Sequence, residues 1–207
     1  MNDTLKEDRA VDEVRHPAVA ALYDAFMLPQ ELLGLRRQRA RTAGAATGRV
    51  LELGVGTGLN LSHYVGASKV VAIDPDPNML ERARPRALDA PCPVQLVEAG
   101  AEALPFGDHE FDSVVVTLTL CTVPDPAAAV TESHRVLKPG GRLIFLEHVR
   151  SEKPWSARVQ DAVTPAWKHV SGGCHWNRAT VETIERHFEI ERLWRKGIFV
   201  QGTGRPL

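Results

Sequence analysis

The sequence predicts an α/β fold in which helices cover both faces of a doubly wound, parallel sheet. Short runs of apolar and β-branched residues alternate along the chain with segments of helical spacing, which is typical of this class. One run, at residues 51–53, leads directly into a turn with glycine at every second position, Gly54, Gly56 and Gly58. A second run ends in a carboxylate, Asp74. A glycine turn and an acid after two successive strands indicate a Rossmann-like ligand site at one edge of the sheet.

The predicted strands are continuous apolar runs rather than alternating ones, which indicates burial on both faces. They lie at residues 49–53, 69–73, 94–97, 112–118 and 142–148. Two further β-like runs near the carboxyl terminus, at 190–194 and 198–201, bring the predicted sheet to seven strands. Helices are predicted at residues 59–64, 78–88 and 126–137. Residues 155–170 and 178–187 belong to the remainder that completes the domain.

The chain before the first strand divides into two parts. Residues 1–15 are polar and charged without a periodic face, which predicts a flexible tail. Residues 16–42 carry apolar residues at helical spacing, and Pro29 is expected to divide them into two flanking helices. The length of 207 residues fits one domain at 16–207, with a core at 48–150.

Composition and charge narrow the classes of function. The chain has 43% hydrophobic and 25% charged residues, as ordinary globular proteins do. A formal net charge of −1 supplies no positive field for a polyanion, which argues against nucleic-acid partners. Three cysteines without paired spacing, after an opening with no secretory signal, predict a cytoplasmic location. The longest apolar run, 114–123, is too short to span a bilayer, so no transmembrane segment is predicted. Peripheral membrane contact and oligomeric state stay open.

The spacing of the glycines predicts the ligand. Dinucleotide-binding loops usually place the third glycine three positions after the second, whereas Gly58 follows Gly56 by two. This favours S-adenosylmethionine as the cofactor and disfavours the alternative of an NAD-dependent oxidoreductase. Asp74 is predicted to accept both ribose hydroxyls, and its alternative role is to cap the helix that begins near Asn78.

The loop after the third predicted strand is expected to hold the adenine. It contains Gly100, Ala101 and Glu102 ahead of a Leu-Pro-Phe sequence. Backbone groups of Ala101 can pair with the ring, and the Glu102 carboxylate can accept from the exocyclic amine. Glu102 is equally consistent with a solvated loop charge.

These motifs, together with residues 135–141, resemble the class I S-adenosylmethionine-dependent methyltransferases over residues 49–148. In that superfamily the adenine loop usually carries an aspartate at the position of Gly100. Further segments are similar to the microsomal alkyl-thiol S-methyltransferases, at residues 73–78, 99–102, 117–123, 147–149 and 165–178. Members of that family carry a hydrophobic amino-terminal anchor, and residues 1–15 show none.

The resemblance implies methyl transfer from S-adenosylmethionine to a small lipophilic molecule, with an alkyl thiol as the first candidate. A phospholipid such as phosphatidylethanolamine, or a quinone-like molecule, is the alternative acceptor. An alternative of another class is a non-catalytic S-adenosylmethionine-binding module. The aromatic and polar residues of 155–178 argue against it, because a sensor has no evident need of a wall beside an acceptor. Residues 16–42 and 151–180 are expected to flank the acceptor.

The predicted cofactor site combines the motifs above with residues implied by the resemblance. It consists of Tyr23, Glu52, Gly54, Gly56, Gly58, Asn60, Asp74, Pro75, Gly100, Ala101, Glu102 and Thr117. Tyr23 is expected to close over the cofactor as amino-terminal tyrosines do in similar methyltransferases, and a core-facing tyrosine is the competing interpretation.

The acceptor is predicted to meet the loop after the fourth strand, because loops there face the ligand in a doubly wound sheet. This loop lacks the acidic-Pro-Pro-aromatic tetrad of many amino-group methyltransferases. The predicted substrate residues are Leu118, Cys121, Trp167, His175 and Arg178. His148, beside Glu147 at the end of the fifth strand, is the predicted catalytic group that takes the acceptor's proton. A structural histidine is the alternative.

No metal site is predicted. Cys174 and His175 are adjacent and lack the usual two-residue gap of metal ligands, with His169 as the nearest further candidate. The chain has no second cysteine pair that would complete such a set.

Overall fold

The computed structural model describes residues 17–207, and the predicted flexible tail lies outside the described residues. Seven strands form one sheet in the order β3-β2-β1-β4-β5-β7-β6. Their bounds are Gly48–Leu53 for β1, Ala67–Asp74 for β2, Val94–Glu98 for β3, Phe111–Thr117 for β4, Leu137–His148 for β5, Phe188–Lys196 for β6 and Phe199–Pro206 for β7. The predicted α/β class and strand number are confirmed.

The sheet is mixed rather than wholly parallel. Strands β1 to β5 are parallel, and β7 runs antiparallel to both β5 and β6. Only two residues, Gly197 and Ile198, separate β6 from β7, and a connection this short joins only antiparallel neighbours. Gly197 has a φ of 62°, which suits such a turn.

Within residues 17–207, six α-helices and two short helical turns flank the sheet. The helices are α1 at Pro17–Gln30, α2 at Arg36–Ala43, α3 at Pro77–Leu88, α4 at Pro126–Val136, α5 at Pro154–Val170 and α6 at Thr180–Ile184. A π-helical turn, Glu31–Leu35, joins α1 to α2, and a 3₁₀ turn, Leu61–His63, follows the glycine loop. Helices α3 and α4 begin with the side chains of Asp76 and Asp125 accepting backbone N–H groups, which satisfies donors that a helix start leaves unpaired.

Two sequence predictions about helices were wrong. The break in the amino-terminal segment lies at Gly34, with a φ of 120°, while Pro29 lies inside the last turn of α1. Glycine reaches that φ without a steric penalty. The helix predicted at residues 59–64 is a single 3₁₀ turn. Helix α2 instead packs against this turn and against β4 and β5.

Alternate residues of the central strands point to opposite faces of the sheet, and both faces are buried. On one face, Leu51, Val71 and Val114 belong to a cluster that includes residues of α4 and α6. On the other, Val50 and Val115 belong to a cluster with residues of the 3₁₀ turn and α3. Burial on both faces explains why the strands appear in the sequence as continuous apolar runs.

Candidate active site

A cavity of about 750 Å³ opens at the carboxyl ends of the parallel strands. The loops after β1, β2, β3 and β4 line it, together with α1, the end of β5 and residues 171–176. Thirteen predicted site residues line this cavity: Tyr23, Gly54, Gly56, Asp74, Pro75, Gly100, Ala101, Glu102, Thr117, Leu118, Cys121, His148 and Trp167. The parallel sheet therefore brings together residues from most of the chain's length.

Gly54, the first glycine of the loop after β1, lies too close to the turn after β4 for a side chain. Gly54 has a φ of 64°, and a Cβ there would lie 2.5 Å from Oγ1 of Thr119. Gly56 has a φ of 54° and open space beside it, where it lines the cavity. The loop is tied to β2 by the Val55 N–H, which donates to the carbonyl of Ile73 at 2.8 Å. Backbone is thus presented to the cavity without intervening side chains.

The Asp74 carboxylate joins the glycine loop to the end of β2. Oδ2 accepts from the Gly56 N–H at 2.9 Å, and Oδ1 accepts from the Asp76 N–H at 3.0 Å. Burial raises the pKa of Asp74 to about 6, although the two N–H groups lower it. Each oxygen keeps a further lone pair for a ligand hydroxyl. The cap of α3 is Asp76, which accepts from the Asn78 N–H, so the capping alternative for Asp74 was wrong.

Three predicted cofactor residues, Glu52, Gly58 and Asn60, lie behind the cavity wall rather than on it. The Asn60 amide donates to Oε1 of Glu52 at 2.7 Å and to Oγ1 of Thr117 at 3.0 Å. Arg39 donates to Oδ1 of Asn60 at 3.2 Å. Burial raises the pKa of Glu52 to about 7. This buried network supports the glycine loop from the side away from the ligand.

Helix α1 is fastened over the glycine loop by Asp24. Its carboxylate accepts from Oγ1 of Thr57 at 2.6 Å and pairs with Arg86 at 2.7 Å. Arg86 also donates to the carbonyl of Thr57 at 2.6 Å. Burial raises the pKa of Asp24, but the bonds from Thr57 and Arg86 outweigh burial and lower it. The neighbouring Tyr23 is half-buried against the cavity. Sequence reasoning missed the contacts of Asp24 with Thr57 and Arg86, because no local pattern links residues so far apart in the chain.

Replacing Asp24 with alanine is expected to weaken S-adenosylmethionine binding by about three- to tenfold. The ion pair is partly exposed and contributes about 0.2–1 kcal/mol, with a similar contribution from the Thr57 hydrogen bond. Calorimetric titration measures the change. The matched control is Asp108→Ala. Asp108 lies in the loop before β4, and its replacement breaks an ion pair with Arg135. Equal affinity of Asp24→Ala and the native protein would show that α1 stays in place without this contact.

A strained turn follows β4 at the acceptor end of the cavity. Leu118 has a φ of 56°, a left-handed conformation that costs a non-glycine residue about 1–2 kcal/mol. The buried Glu147 carboxylate holds the turn by accepting from the backbone N–H groups of Thr119, Leu120 and Cys121 at 2.7, 3.0 and 3.2 Å. Burial raises the pKa of Glu147, while these N–H groups lower it.

Aromatic side chains form the wall of the acceptor end. The rings of Trp167 and Trp176 lie 4.3 Å apart, and Phe26 of α1 is 5.8 Å from Trp167. Phe199 of β7 lies 4.7 Å from the His148 ring. All five residues line the cavity, and Trp167 and His148 are the two that were predicted as site residues. Phe26 and Phe199 were missed because isolated aromatic residues in a sequence are more often core than site. Trp176 belongs to the 155–178 segment that was predicted to form a wall beside the acceptor.

His175 and Arg178, two predicted substrate residues, support the cavity from behind. The His175 N–H donates to the carbonyl of Cys121 at 2.7 Å. The Arg178 guanidinium donates to the carbonyls of Leu120 and Val123 at 2.6 and 2.7 Å. Both residues fasten the segment after α5 to the turn after β4.

Two thiols and an imidazole meet at the acceptor end. Sγ of Cys174 lies 3.4 Å from Sγ of Cys121 and 3.3 Å from Nδ1 of His148, and Cys121 Sγ lies 3.8 Å from that nitrogen. All three residues are buried and line the cavity. Hydrogen bonding with Cys174, followed by burial, raises the pKa of the Cys121 thiol. Chain spacing did not predict this cluster, because Cys121 and His148 lie 53 and 26 positions before Cys174.

The residues at the other end of the cavity fit S-adenosylmethionine. Asp74 has lone pairs for the ribose hydroxyls, and a glycine backbone without Cβ atoms faces the same space. Gly100, Ala101 and Glu102 lie beside them on the loop after β3. These residues would hold the cofactor, and the aromatic wall lies beyond them.

The fold and this cavity define the class of protein, and the comparisons agree. A family model described as "Methyltransferase domain" matches residues 51–145, from β1 into β5. The chain belongs to the class I S-adenosylmethionine-dependent methyltransferases, and S-adenosylmethionine is its cofactor. The alternatives of an oxidoreductase and of a non-catalytic module are therefore set aside.

Among curated relatives, the chain is similar to Thiol S-methyltransferase TMT1B of Rattus norvegicus, with 37% identity over 70% of this chain and 62% of the relative. The phosphatidylethanolamine N-methyltransferase of Cereibacter sphaeroides is 37% identical over 69% of this chain and 71% of the relative. The ubiquinone/menaquinone biosynthesis C-methyltransferase UbiE of Pseudomonas fluorescens (strain Pf0-1) is 36% identical over 88% and 77%. The chain thus spans less than two thirds of the length of that thiol S-methyltransferase.

Solved structures show the same fold. A S-adenosylmethionine-dependent methyltransferase of Thermotoga maritima matches with a TM-score of 0.63 and 24% identity over 89% of this chain and 98% of that one. The complex of DhpI with S-adenosylhomocysteine matches with a TM-score of 0.63 and 24% identity over 92% of each chain. Within residues 17–207, the structure has no helix both long enough and apolar enough to cross a membrane.

Proposed function

We propose that this methyltransferase transfers the methyl group to the sulfur of a small lipophilic thiol. The observation that carries the proposal is the acceptor end of the cavity, where an aromatic wall lies beside the buried cluster of Cys121, His148 and Cys174. Apolar and aromatic walls favour lipophilic molecules, and the few polar groups orient them. The similarity to the thiol S-methyltransferase of the rat supports sulfur as the acceptor atom.

Methyl transfer to a thiol requires alignment and loss of the thiol proton. When bound, S-adenosylmethionine supplies a methyl group on a sulfonium sulfur, which is a good leaving group. The chain aligns the two molecules by holding the cofactor at Asp74 and the glycine loop, while Trp167 and Trp176 exclude water from the acceptor. A free thiol has a pKa near 8.5, so only a few per cent is thiolate at neutral pH. We expect His148, which lines this end of the cavity, to promote loss of the acceptor's proton.

The test is a methyl-transfer assay with labelled S-adenosylmethionine and a set of acceptors: an alkyl thiol, an aromatic thiol, phosphatidylethanolamine vesicles and a quinol. We expect the label to appear in the methyl thioethers. Labelling of phosphatidylethanolamine or the quinol, with thiols left unmodified, would overturn the proposal. His148→Ala is expected to lower kcat by about a hundredfold with S-adenosylmethionine affinity unchanged, because the substitution removes the group that promotes loss of the acceptor's proton. The matched control is His63→Ala in the 3₁₀ turn.

A phospholipid or quinone-like acceptor is the second candidate, and one structural observation favours it. Large apolar side chains of the amino-terminal helical segment are exposed, with Leu22 at 67%, Leu32 at 78% and Leu33 at 86%. Phe26 of the same segment lines the cavity, so these exposed side chains belong to an element that also forms part of the cavity wall. A surface of this kind suits contact with a membrane that supplies a lipid acceptor. The vesicle arm of the assay tests this candidate directly.

A further inference from the structure

We infer that Cys121, His148 and Cys174 form a Zn²⁺ site whose fourth position faces the cavity, and that the acceptor thiol binds the ion there as a thiolate. The role of the ion toward the acceptor rests on the proposed thiol methylation. The metal site itself rests on the geometry of these three residues.

The separations of the three ligand atoms are close to those around a zinc ion. The ion binds sulfur at about 2.3 Å and imidazole nitrogen at about 2.0 Å in a tetrahedral arrangement, which separates ligand atoms by about 3.5–3.8 Å. The observed separations are 3.4 Å between the sulfurs and 3.3 and 3.8 Å from the sulfurs to Nδ1. The mutual distances of all three atoms are within 4.8 Å, and each residue is buried.

Three separate elements hold the ligands in this arrangement. Cys121 lies in the turn fixed by Glu147, and His148 ends β5. Cys174 lies in the segment that is fastened to this turn by the His175 N–H and the Arg178 guanidinium. Gln160 of α5 adds a further contact by donating to the carbonyls of Val149 and Trp176 at 3.0 and 2.7 Å. A site whose ligands are positioned by surrounding hydrogen bonds needs little rearrangement to bind an ion.

The donor set indicates zinc and a catalytic type of site. Two thiolates and one imidazole are soft to borderline ligands, which suit Zn²⁺ better than Mg²⁺ or Ca²⁺. Two cysteine thiolates also neutralise the charge of the ion, which matters in a buried site. Structural zinc sites usually have four protein ligands, whereas catalytic sites have three and leave one position for water or substrate. All three ligands line the cavity, so the open position lies on the acceptor's side.

The zinc ion would promote loss of the proton from the acceptor thiol. As the acceptor sulfur binds zinc, its proton is released to solvent, because a coordinating thiol is deprotonated. The bound sulfur then forms a bond to the methyl carbon while the bond from that carbon to the sulfonium sulfur breaks. The electron pair of the broken bond stays on the departing sulfur, giving a neutral thioether and S-adenosylhomocysteine. His148 acts in this step as a metal ligand.

The experiment is metal analysis of the full chain, purified without chelator and then dialysed against Zn²⁺. We expect about one zinc per chain, and a loss of about tenfold or more in affinity for Zn²⁺ in Cys121→Ser and Cys174→Ser. Cys92→Ser is the matched control, since Cys92 packs against the core on the other face of the sheet and should retain the metal. Co²⁺ bound to the native chain should show thiolate charge-transfer absorption that the Cys121→Ser and Cys174→Ser variants lack.

A chain that binds no zinc under these conditions would overturn the inference, as would a disulfide between Cys121 and Cys174 in the freshly purified protein. If the serine variants fail to fold, as judged by S-adenosylmethionine binding, removal and return of zinc in the native chain provides the same test. Thiol methylation that persists undiminished after zinc removal would overturn the inference and leave the proposed function standing. Stoichiometric zinc without thiol methylation would confirm the metal site and refute the proposed acceptor.

Discussion

Asp74→Ala is expected to weaken S-adenosylmethionine binding by about a hundredfold or more. A hydrogen bond to a charged group contributes about 1.5–3 kcal/mol, and loss of two such bonds to the ribose hydroxyls corresponds to at least that factor. The substitution also removes the acceptor of the Gly56 N–H, which positions the glycine loop. Calorimetric titration with S-adenosylmethionine and S-adenosylhomocysteine measures the loss, and circular dichroism shows whether the variant is folded.

Asp74→Asn is the matched control for this prediction, because it keeps one carbonyl oxygen and the size of the side chain. Since the pKa of Asp74 is about 6, cofactor affinity of the native protein should fall as the pH is lowered through 6 and the carboxylate is protonated. The Asn variant should bind more weakly at pH 7.5 and show no such pH dependence. A folded Asp74→Ala variant with native affinity would contradict the assignment.

The same raised pKa affects stability in the opposite direction. The model-compound pKa of an aspartate is 3.8, so between about 4 and 6 the native chain binds a proton that the unfolded chain has released. The contribution of Asp74 to the free energy of unfolding is therefore largest below pH 4 and is lost as the pH rises through 6. Deprotonation of Asp74 therefore strengthens binding of the cofactor and lowers the free energy of unfolding. This is expected of a buried carboxylate whose role is to bind a ligand.

Glu147→Ala is expected to lower the free energy of unfolding by about 3 kcal/mol or more. The substitution leaves three buried backbone N–H groups without an acceptor, and each unsatisfied donor costs about 1–3 kcal/mol. It also removes the contacts that hold Leu118 at positive φ. The free energy of unfolding of a domain is usually about 5–15 kcal/mol, so the expected loss is a large fraction of it. Urea denaturation at pH 7 measures it.

The control for Glu147 is Glu98→Ala, which removes an exposed carboxylate at the end of β3 and should change stability by less than about 0.5 kcal/mol. If Glu147→Ala lost less than about 1 kcal/mol, the turn after β4 would be held mainly by His175 and Arg178. The displaced turn should also move Cys121 away from His148, so the variant is expected to lose bound Zn²⁺ together with stability.

The sequence predicted the sheet and the cofactor end of the cavity because both depend on local patterns. A buried parallel strand is a continuous apolar run, and a strand leads directly into its own loop. The glycine loop, Asp74 and the segment at Gly100 to Glu102 were therefore found where strands end. The position of the amino-terminal kink was not found, because Pro29 and Gly34 are both helix breakers and only packing selects between them.

The acceptor end depends on contacts between distant parts of the chain, and its residue types have no characteristic spacing. Glu147 reaches the turn after β4 across a separation that no local periodicity encodes. At the cofactor end, Asp24 reaches Thr57 and Arg86 in the same way. Arg178 shows the same effect, because a conspicuous charge in the sequence turned out to bind carbonyl groups.

The sequence by itself determined the α/β class, the glycine loop and the cofactor, since these follow from hydrophobic periodicity and from backbone conformations that only certain residues reach. Tertiary structure alone decided that Cys121, His148 and Cys174 lie together, 26 to 53 positions apart in the chain. These three side chains meet because of the way strands and loops pack against one another, and their spacing in the chain does not predict this packing.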